Sequence, residues 1–501
     1  MPQDVLLGID LGTTALKVAA VGASNGRLLG VASATLPVDS APDGTREQRL
    51  ADVDAALARL SGALRRKLGK DWQRVAGVGL AAQGGSAIIA DAATGEALTP
   101  MQLWNDSRPL GLLPAIAALK PAPYWRRLSY LSDPGAGLAR IAWLRRRRGG
   151  ERLFRKGNIY VGAGEYVYFK LTGQWRQDAG NALQIGCYDA RRGELVDEPL
   201  SLVGLDRSFV APMRQGHQTH PLGAAGARLL HLPPGLPVAG PYIDQEGGYL
   251  SAAAASSRPL QLSLGTAWVG NFVCPHQAVP RDGFNLVLPS PAGSGAMVIR
   301  VMHAGAITWD WAVRTCVGSG RGAMSAAEAI FRRRLLAPPA LTAMPWLTAP
   351  NAIDRAAAGS GGLVGISPHT SSDDMLRAMA EGLCYELARV FESVLWHGRS
   401  ARAAIDAVVL TGGAANGWQF RQMLAGLLAP LPVLQVGADE PAAARGALWA
   451  FSRKAAAVAV RPCPPPPVAV RRALGEGLHR YRRLCEVLSK GLGPAAADLL
   501  T

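Results

Sequence analysis

The residues Val5-Leu6-Leu7-Gly8-Ile9-Asp10-Leu11-Gly12-Thr13-Thr14-Ala15-Leu16-Lys17-Val18-Ala19-Ala20-Val21 set the reading of the whole chain. Val5 to Ile9 is a short unbroken apolar run, the pattern of a buried strand, and Leu16 to Val21 resumes it after an interruption. The spacing predicts a β-turn-β unit. Gly12 allows a tight turn with outward-facing N–H groups, and the hydroxyls of Thr13 and Thr14 add donors that can grip phosphate oxygens. Asp10, at the strand end, can hold Mg²⁺ through water. An ordinary hairpin with an aspartate turn residue accounts for the same residues, and this stretch alone does not separate the two readings.

The pattern returns once. Leu262-Ser263-Leu264-Gly265-Thr266-Ala267-Trp268-Val269 is again an apolar strand, a Gly-Thr turn and an apolar strand. Two such turns from two halves can clamp phosphates from both sides. A chain of 501 residues is too long for one ordinary core, so two domains are expected. We place them at 1–248 and 249–460, followed by a Pro-rich spacer and C-terminal helix over 461–501. Val53, Leu57, Leu60, Leu64 and Leu68 predict an amphipathic helix over 51–68. Short strands are expected at Val75–Leu80, Ala87–Ala90 and Met101–Trp104. Another strand, from Leu236 to Ile243, ends at Asp244 and runs into an Ala-rich helix. A long helix is expected over 373–397, then a strand Ile405–Leu410, the pair Gly412-Gly413, a helix from about Asn416, a strand Pro432–Val436 and a helix from about Glu440. Behind Pro464–Pro467 an Arg-rich amphipathic helix is expected to pack back on the second domain, leaving 493–501 as a loose tail. Strands and helices mixed in this way indicate the α/β class.

Composition narrows the function classes. Hydrophobic residues make up 49% and charged residues 18%, which suits a well-buried enzyme rather than a disordered chain. No apolar run reaches bilayer length. Met1-Pro2-Gln3-Asp4 lacks the basic start of a signal peptide, so a cytoplasmic location is expected. Six cysteines lie far apart without CxxC spacing, as isolated thiols rather than disulfides or a zinc site. The net charge of +16 comes mostly from scattered arginines. Its one dense patch, Arg140 to Lys156, has no aromatic interleaving and reads as a solvated helix end rather than a nucleic-acid or membrane surface.

There is no GxxxxGK[ST] loop and no protein-kinase motif set. Gly77-Val78-Gly79-Leu80-Ala81-Ala82 superficially matches a dinucleotide fingerprint but leads into Gln83-Gly84-Gly85 and a strand, where that motif requires a helix. Asp244, between a strand and a helix, is either an N-cap or a carboxylate placed to accept the proton of an attacking hydroxyl. Gly412-Gly413 permits close approach of a flat ligand, with Asn416 as cap of the following helix, or is a simple strand-helix turn.

In combination these residues resemble a known family. Gly8-Ile9-Asp10-Leu11-Gly12-Thr13-Thr14, Trp104-Asn105-Asp106-Ser107-Arg108, Leu171-Thr172-Gly173, Asp244, Leu264-Gly265-Thr266, and Gly412-Gly413 with Arg445-Gly446-Ala447 occur in the order found in the FGGY carbohydrate kinases, and look closest to the xylulose-kinase-like branch. The resemblance runs from about residue 5 to 452. It implies two actin-like (ribonuclease-H-like) domains of the α/β class, with the active site in the interdomain cleft and ATP and Mg²⁺ bound there. It makes Asp244 the catalytic base and Asp10 part of the metal site. Thr13, Thr14, Gly265 and Thr266 would contact phosphates, Gly413 and Asn416 adenosine, and Gly305, in the turn Met302-His303-Ala304-Gly305, the nucleotide. Gln83, Gly84, Gly85, Trp104, Asp106 and Gln245 would line the sugar pocket.

The chain departs from the pattern in places. Gly84-Gly85 stands where xylulose kinases usually show Met-His, so an imidazole is lost and space gained. Gly180-Asn181-Ala182 replaces the usual Ser-Asp-Ala, Ala414 replaces a third glycine, and Ala349-Pro350-Asn351 stands where Gly-Glu-Arg is common. The phosphoryl-transfer residues survive these changes and the substrate-reading ones do not. The expected activity is ATP-dependent phosphorylation of a small-sugar hydroxyl, with a ketose such as D-xylulose as the first candidate. Another polyol, ketose or sugar acid is the alternative, as is a non-catalytic nucleotide- or sugar-binding regulator. Expected partners are small molecules rather than nucleic acid or membrane, and a homodimer is left open.

Overall fold

The computed structural model describes residues 4–265, 267–281, 285–302, 304–347, 361–395 and 405–491. Thr266, His303, Ala349-Pro350-Asn351, the last two residues of the 373–397 helix and the 493–501 tail therefore lie outside the described residues. The chain packs as two compact units. One comprises Met1–Ala255, Asn285–Val298 and Pro441–Val458; the other comprises Ser256–Phe284, Ile299–Glu440 and Ala459–Thr501. Packing thus cuts the chain differently from a division at 248 and 460, because two later segments return to the first unit.

In the first unit the opening residues form an antiparallel hairpin, Val5–Leu11 with Ala15–Gly22. Leu28–Thr35 extends it on one side. On the other side Val75–Ala82 pairs parallel with Val5–Leu11, and Pro237–Ile243 pairs parallel with Val75–Ala82. Three parallel strands therefore end at the same sheet edge. The helix Leu50–Leu68 buries Val53, Leu57, Leu60 and Leu64, as its 3.6-residue period requires.

A pair of helices meets glycine-bearing backbone rather than side chains. The helices are Asp244–Ala255 and Ala442–Gly446. A Cβ added at Gly8 would lie 2.1 Å from the Ala444 carbonyl oxygen, and one at Gly79 would lie 2.2 Å from that of Ala447. A Cβ at Gly446 would lie 1.7 Å from the Gly247 carbonyl oxygen. The Arg445-Gly446-Ala447 motif is thus a close-approach surface, and no larger residue fits it without moving backbone.

The second unit repeats the opening arrangement. Pro259–Leu264 and Trp268–Cys274 form an antiparallel hairpin, and Ala407–Thr411 pairs parallel with its first strand. Val433–Val436 follows parallel and Val460–Cys463 antiparallel. The echo read in the sequence is therefore a repeated sheet unit. The helix Ser372–Val390 starts with a capping box between Ser371 and Asp374. The Arg-rich helix Val468–Gly491 does pack on this unit, with the Tyr481 hydroxyl donating to Glu386 Oε2 at 2.7 Å. Among the described residues no helix is long and apolar enough to cross a membrane.

Two glycines of opposite character test this packing. Gly446→Ala should lower the unfolding free energy by about 2–3 kcal/mol through overpacking against backbone. Gly475, exposed in a helix with nothing within 4 Å of an added Cβ, should gain about 0.5–1 kcal/mol as alanine. Denaturant midpoints of the two variants moving the same way would contradict the close contact.

Candidate active site

The three parallel strand ends carry the candidate chemistry. Asp10 is the penultimate residue of Val5–Leu11, Gln83 follows Val75–Ala82, and Asp244 follows Pro237–Ile243 as the first residue of its helix. Gln83 N donates to the Leu11 carbonyl at 2.7 Å, so the middle strand end is tied to the first.

Asp10 and Asp244 are both half-buried. Burial pushes the Asp10 carboxyl up to about 6, countered in part by Lys17. Asp244 is pushed up to about 7, first by burial and then by the negative charge of Asp10, while the Gln245 amide partly offsets this. Gln245 N donates to Asp244 Oδ1 at 2.8 Å, which fixes one oxygen of the carboxylate. A carboxylate that exchanges a proton near neutrality is suited to general-base work.

Thr13 sits in the turn after Asp10, where Gly12 N donates to the Ala15 carbonyl at 3.0 Å. Its hydroxyl, expected on a phosphate, is already engaged within the protein. It donates to Gln83 Oε1 at 2.8 Å and accepts from Trp104 Nε1 at 3.0 Å. Gln48 Nε2 holds the Thr13 carbonyl at 2.7 Å, and Ser86 Oγ donates to Gln83 Oε1 at 3.1 Å. Gln83 is buried at 3% exposure, so its part is to orient Thr13, which in turn holds Trp104. Thr14 and Trp104 remain exposed.

Asp106 differs from its expected role. Its carboxylate is fully enclosed. It accepts from Arg108 Nε at 3.0 and 3.2 Å, Arg108 Nη2 at 2.6 Å, Arg108 N at 3.1 Å and Arg46 N at 3.2 Å. With its lone pairs occupied, it braces the Trp104 loop and presents no oxygen to a ligand. Arg140 departs likewise from the solvated helix end expected of it. It is buried at 2% exposure and donates to the carbonyls of Gly85, at 2.5 Å, and Leu103, at 3.0 Å. Arg146, Arg147 and Arg148 are exposed as expected. Asn181 accepts from Gly85 N at 3.2 Å and donates to Glu165 Oε2 at 2.6 Å. Gln48 and Ser86 stand in no sequence motif, and Arg140 and Asn181 carry no site role in the sequence pattern.

Four of the residues expected at the nucleotide, Gly265, Gly305, Gly413 and Asn416, lie in the second unit. Gly305 precedes the helix Ala306–Cys316, and Ala306 N donates to the Gly265 carbonyl at 3.2 Å. Gly412, with φ +89°, lies so close that its Cβ would be 2.7 Å from the Leu264 carbonyl carbon. Beside them is a cavity of about 380 Å³ lined by Ala306, Trp309, Gly413, Ala414, Asn416 and Phe420 among others. Its volume is in the range of small-molecule sites. Gly413 needs no special freedom there: an added Cβ meets nothing within 4 Å. Asn416 does not cap the following helix, whose N-cap is Gly417. Its side chain instead accepts from Gln435 Nε2 at 3.0 Å.

Family models match this architecture along most of its length: the N-terminal domain of the FGGY family of carbohydrate kinases over residues 5–251 and its C-terminal domain over 260–453. The chain belongs to the FGGY family. A glycerol kinase of Methylobacterium nodulans is 27% identical over 267 residues, 52% of this FGGY chain and 52% of that protein. The match thus spans about half the length of the first curated relatives. A gluconokinase of Bacillus subtilis is 21% identical over 433 residues, 84% of this chain and 82% of its own. In three dimensions a xylulose kinase from Rhodospirillum rubrum superposes with a TM-score of 0.82 at 19% identity, covering 97% of this chain and 99% of that one. The fold is the two-domain, actin-like α/β fold of the family. The relatives in sequence carry other substrate names than the structural neighbour, so the xylulose-kinase-like branch is not singled out.

Among the described residues no cluster of three or more His, Cys, Asp or Glu could hold a metal by itself. Mg²⁺ does not require one, because it takes one or two carboxylates and keeps water and phosphate oxygens. Asp10, a half-buried oxygen donor at the strand end, fits such an ion.

The raised Asp244 pKa carries a stability consequence. The folded state holds this proton more tightly than the unfolded chain, so stability falls as pH rises from about 4 towards about 7. Asp244→Asn cannot ionise and escapes that loss. In metal-free buffer it should raise Tm by about 2 °C or more at pH 8, with a smaller gain at pH 5. An equal or lower Tm at pH 8 would contradict the burial of this charge.

Proposed function

We propose that this FGGY chain is an ATP-dependent kinase that moves the γ-phosphoryl group of ATP to a hydroxyl of a small polyol or ketose. The observation that carries the reading is Asp244: a half-buried carboxyl brought to about 7 by burial and by Asp10. It heads a helix on the same sheet edge as the Thr13 turn and Gln83. The family membership supports the same reaction class.

Asp244, as carboxylate, accepts the proton of the acceptor hydroxyl while the Gln245 N–H holds its Oδ1. The acceptor oxygen then forms its bond to the γ-phosphorus as the bond to the bridging oxygen of ADP breaks. Exposed Trp104, oriented through Thr13, supplies an apolar wall for the carbon chain of the acceptor. Mg²⁺ held by Asp10 would neutralise charge on the phosphates. The adenosine end fits the cavity beside Gly413 and Asn416. D-xylulose remains one acceptor among several, because the names of relatives span glycerol, gluconate and xylulose kinases.

Asp244→Ala should lower kcat by about 10²–10⁴, the range for loss of a positioned base, with ATP affinity retained. ADP release over a panel of ketoses, polyols and aldonates measures it, and near-wild-type turnover would remove Asp244 from this role. Gly413→Leu should fill the nucleotide cavity, leaving Tm unchanged and raising the KM for ATP at least tenfold. An unchanged KM would place adenosine elsewhere.

A further inference from the structure

Gly84 and Gly85 leave two side chains out of the acceptor loop, and the space they vacate is filled. A Cβ on Gly84 would lie 2.6 Å from Gln184 Nε2, and one on Gly85 would lie 2.1 Å from Gln184 Oε1. Gly85 also has φ +74°, a conformation that strains any residue with a side chain. The loop and the amide are built for each other.

Both are held in place. Gly85 N is tied to Asn181 and the Gly85 carbonyl to buried Arg140. Gln184 is the penultimate residue of the helix Ala179–Ile185, which Asp178 caps by accepting from Asn181 N at 2.9 Å. The end of that helix lies against Gly137, where a Cβ would meet the Gln184 carbonyl oxygen at 2.4 Å. Around the amide stand the side chain of Ile243, which would meet a Gly84 Cβ at 3.1 Å, and Trp104, whose Cβ would meet one on Gly85 at 3.3 Å. Ile243 immediately precedes Asp244. Gln184 is half-buried, and among the described residues its side-chain amide makes no hydrogen bond within the protein. A half-buried amide without protein partners leaves a donor and an acceptor to be satisfied from outside.

We propose that Gln184 is the specificity-determining contact for the acceptor, its amide bonding a hydroxyl of an uncharged polyol or ketose. This rests on the kinase reading of the site. An amide both donates and accepts, as does a hydroxyl, so the two match without charge. An acceptor carboxylate would need a cation instead. Arg140, which borders this loop, is committed to backbone carbonyls, Arg108, in the loop of Asp106, to Asp106 and Glu47, and the charge of Lys17 acts on Asp10. Asp10 and Asp244 add negative charge at the same sheet edge. Sugar acids are therefore disfavoured.

The test is calorimetric binding of glycerol, erythritol, D-ribulose, D-xylulose and D-gluconate to the full chain, followed by turnover of each with MgATP. At least one neutral compound should bind and gluconate should not. Gln184→Leu, which keeps volume and loses both polar atoms, should weaken that neutral compound about tenfold, with ATP affinity within about twofold of wild type. Gln184→Ala serves the same end if the leucine variant does not fold. Wild-type acceptor affinity in either variant overturns the assignment, as does tighter binding of gluconate than of every neutral compound, or no binding of any neutral compound. Turnover of gluconate alone would leave the kinase reading standing without this one. Gln184-dependent binding without phosphorylation would leave this one standing without the kinase.

Discussion

Two half-buried carboxylates at one sheet edge are the constraint on which the first unit turns. Val5–Leu11 and Pro237–Ile243 both lie parallel to Val75–Ala82, one on either side. Parallel strands end together, so Asp10 and Asp244 emerge from strand axes about 10 Å apart. At that separation, and at the effective dielectric of a protein site, their repulsion is on the order of 1–2 kcal/mol. Burial acts on Asp244 more strongly than Asp10 does. The arrangement therefore costs stability, and the cost is local to the atoms that a phosphoryl transfer would use.

What supports that edge is a set of side-chain hydrogen bonds, some to other side chains and some to backbone. Gln83 orients Thr13, Thr13 orients Trp104, Asn181 and Arg140 hold Gly85, and Asp106 with Arg108 braces the loop behind Trp104. The hydroxyl of Thr13 joins Gln83 to Trp104 within a single residue. A change on either side is felt on the other through a bond of 2.8 or 3.0 Å. The arginines that dominate the net charge contribute inside as well. Arg140, Arg377 and Arg445 are buried and donate to main-chain carbonyls. Part of the +16 is thus structural rather than a surface for polyanions.

Features set by local pattern were readable from the sequence. The hairpin at Val5–Val21, its echo at Leu262–Val269, and the strand-to-helix junction at Asp244 depend on runs of apolar residues broken by Gly, Thr or Asp. Those breaks fall where the strands end. Residues whose role depends on a distant partner were not readable. Arg140 reads as part of a solvated helix end because it opens the dense basic run to Lys156, whereas its own position turns inward to Gly85, 55 residues away in sequence. Asp106 matched a motif, yet its oxygens are spent on Arg108 and Arg46. Gln184 had no motif to mark it. Its meaning arises only when the space missing at Gly84 and Gly85 is seen to be occupied from another helix.

That last exchange separates reaction from substrate in physical terms. The reaction needs a carboxylate of the right basicity and a turn that admits phosphates, and both are fixed by strand ends that cannot shift without disturbing the sheet. The acceptor is recognised by side chains that reach over those ends from loops and short helices. Volume lost from a loop can there be restored from a helix nearly a hundred residues away in the chain. Such an exchange keeps the pocket filled while changing the groups that face the ligand. On the proposed reading the reaction is written in contiguous motifs, and the choice of acceptor in a tertiary contact between two glycines and one amide.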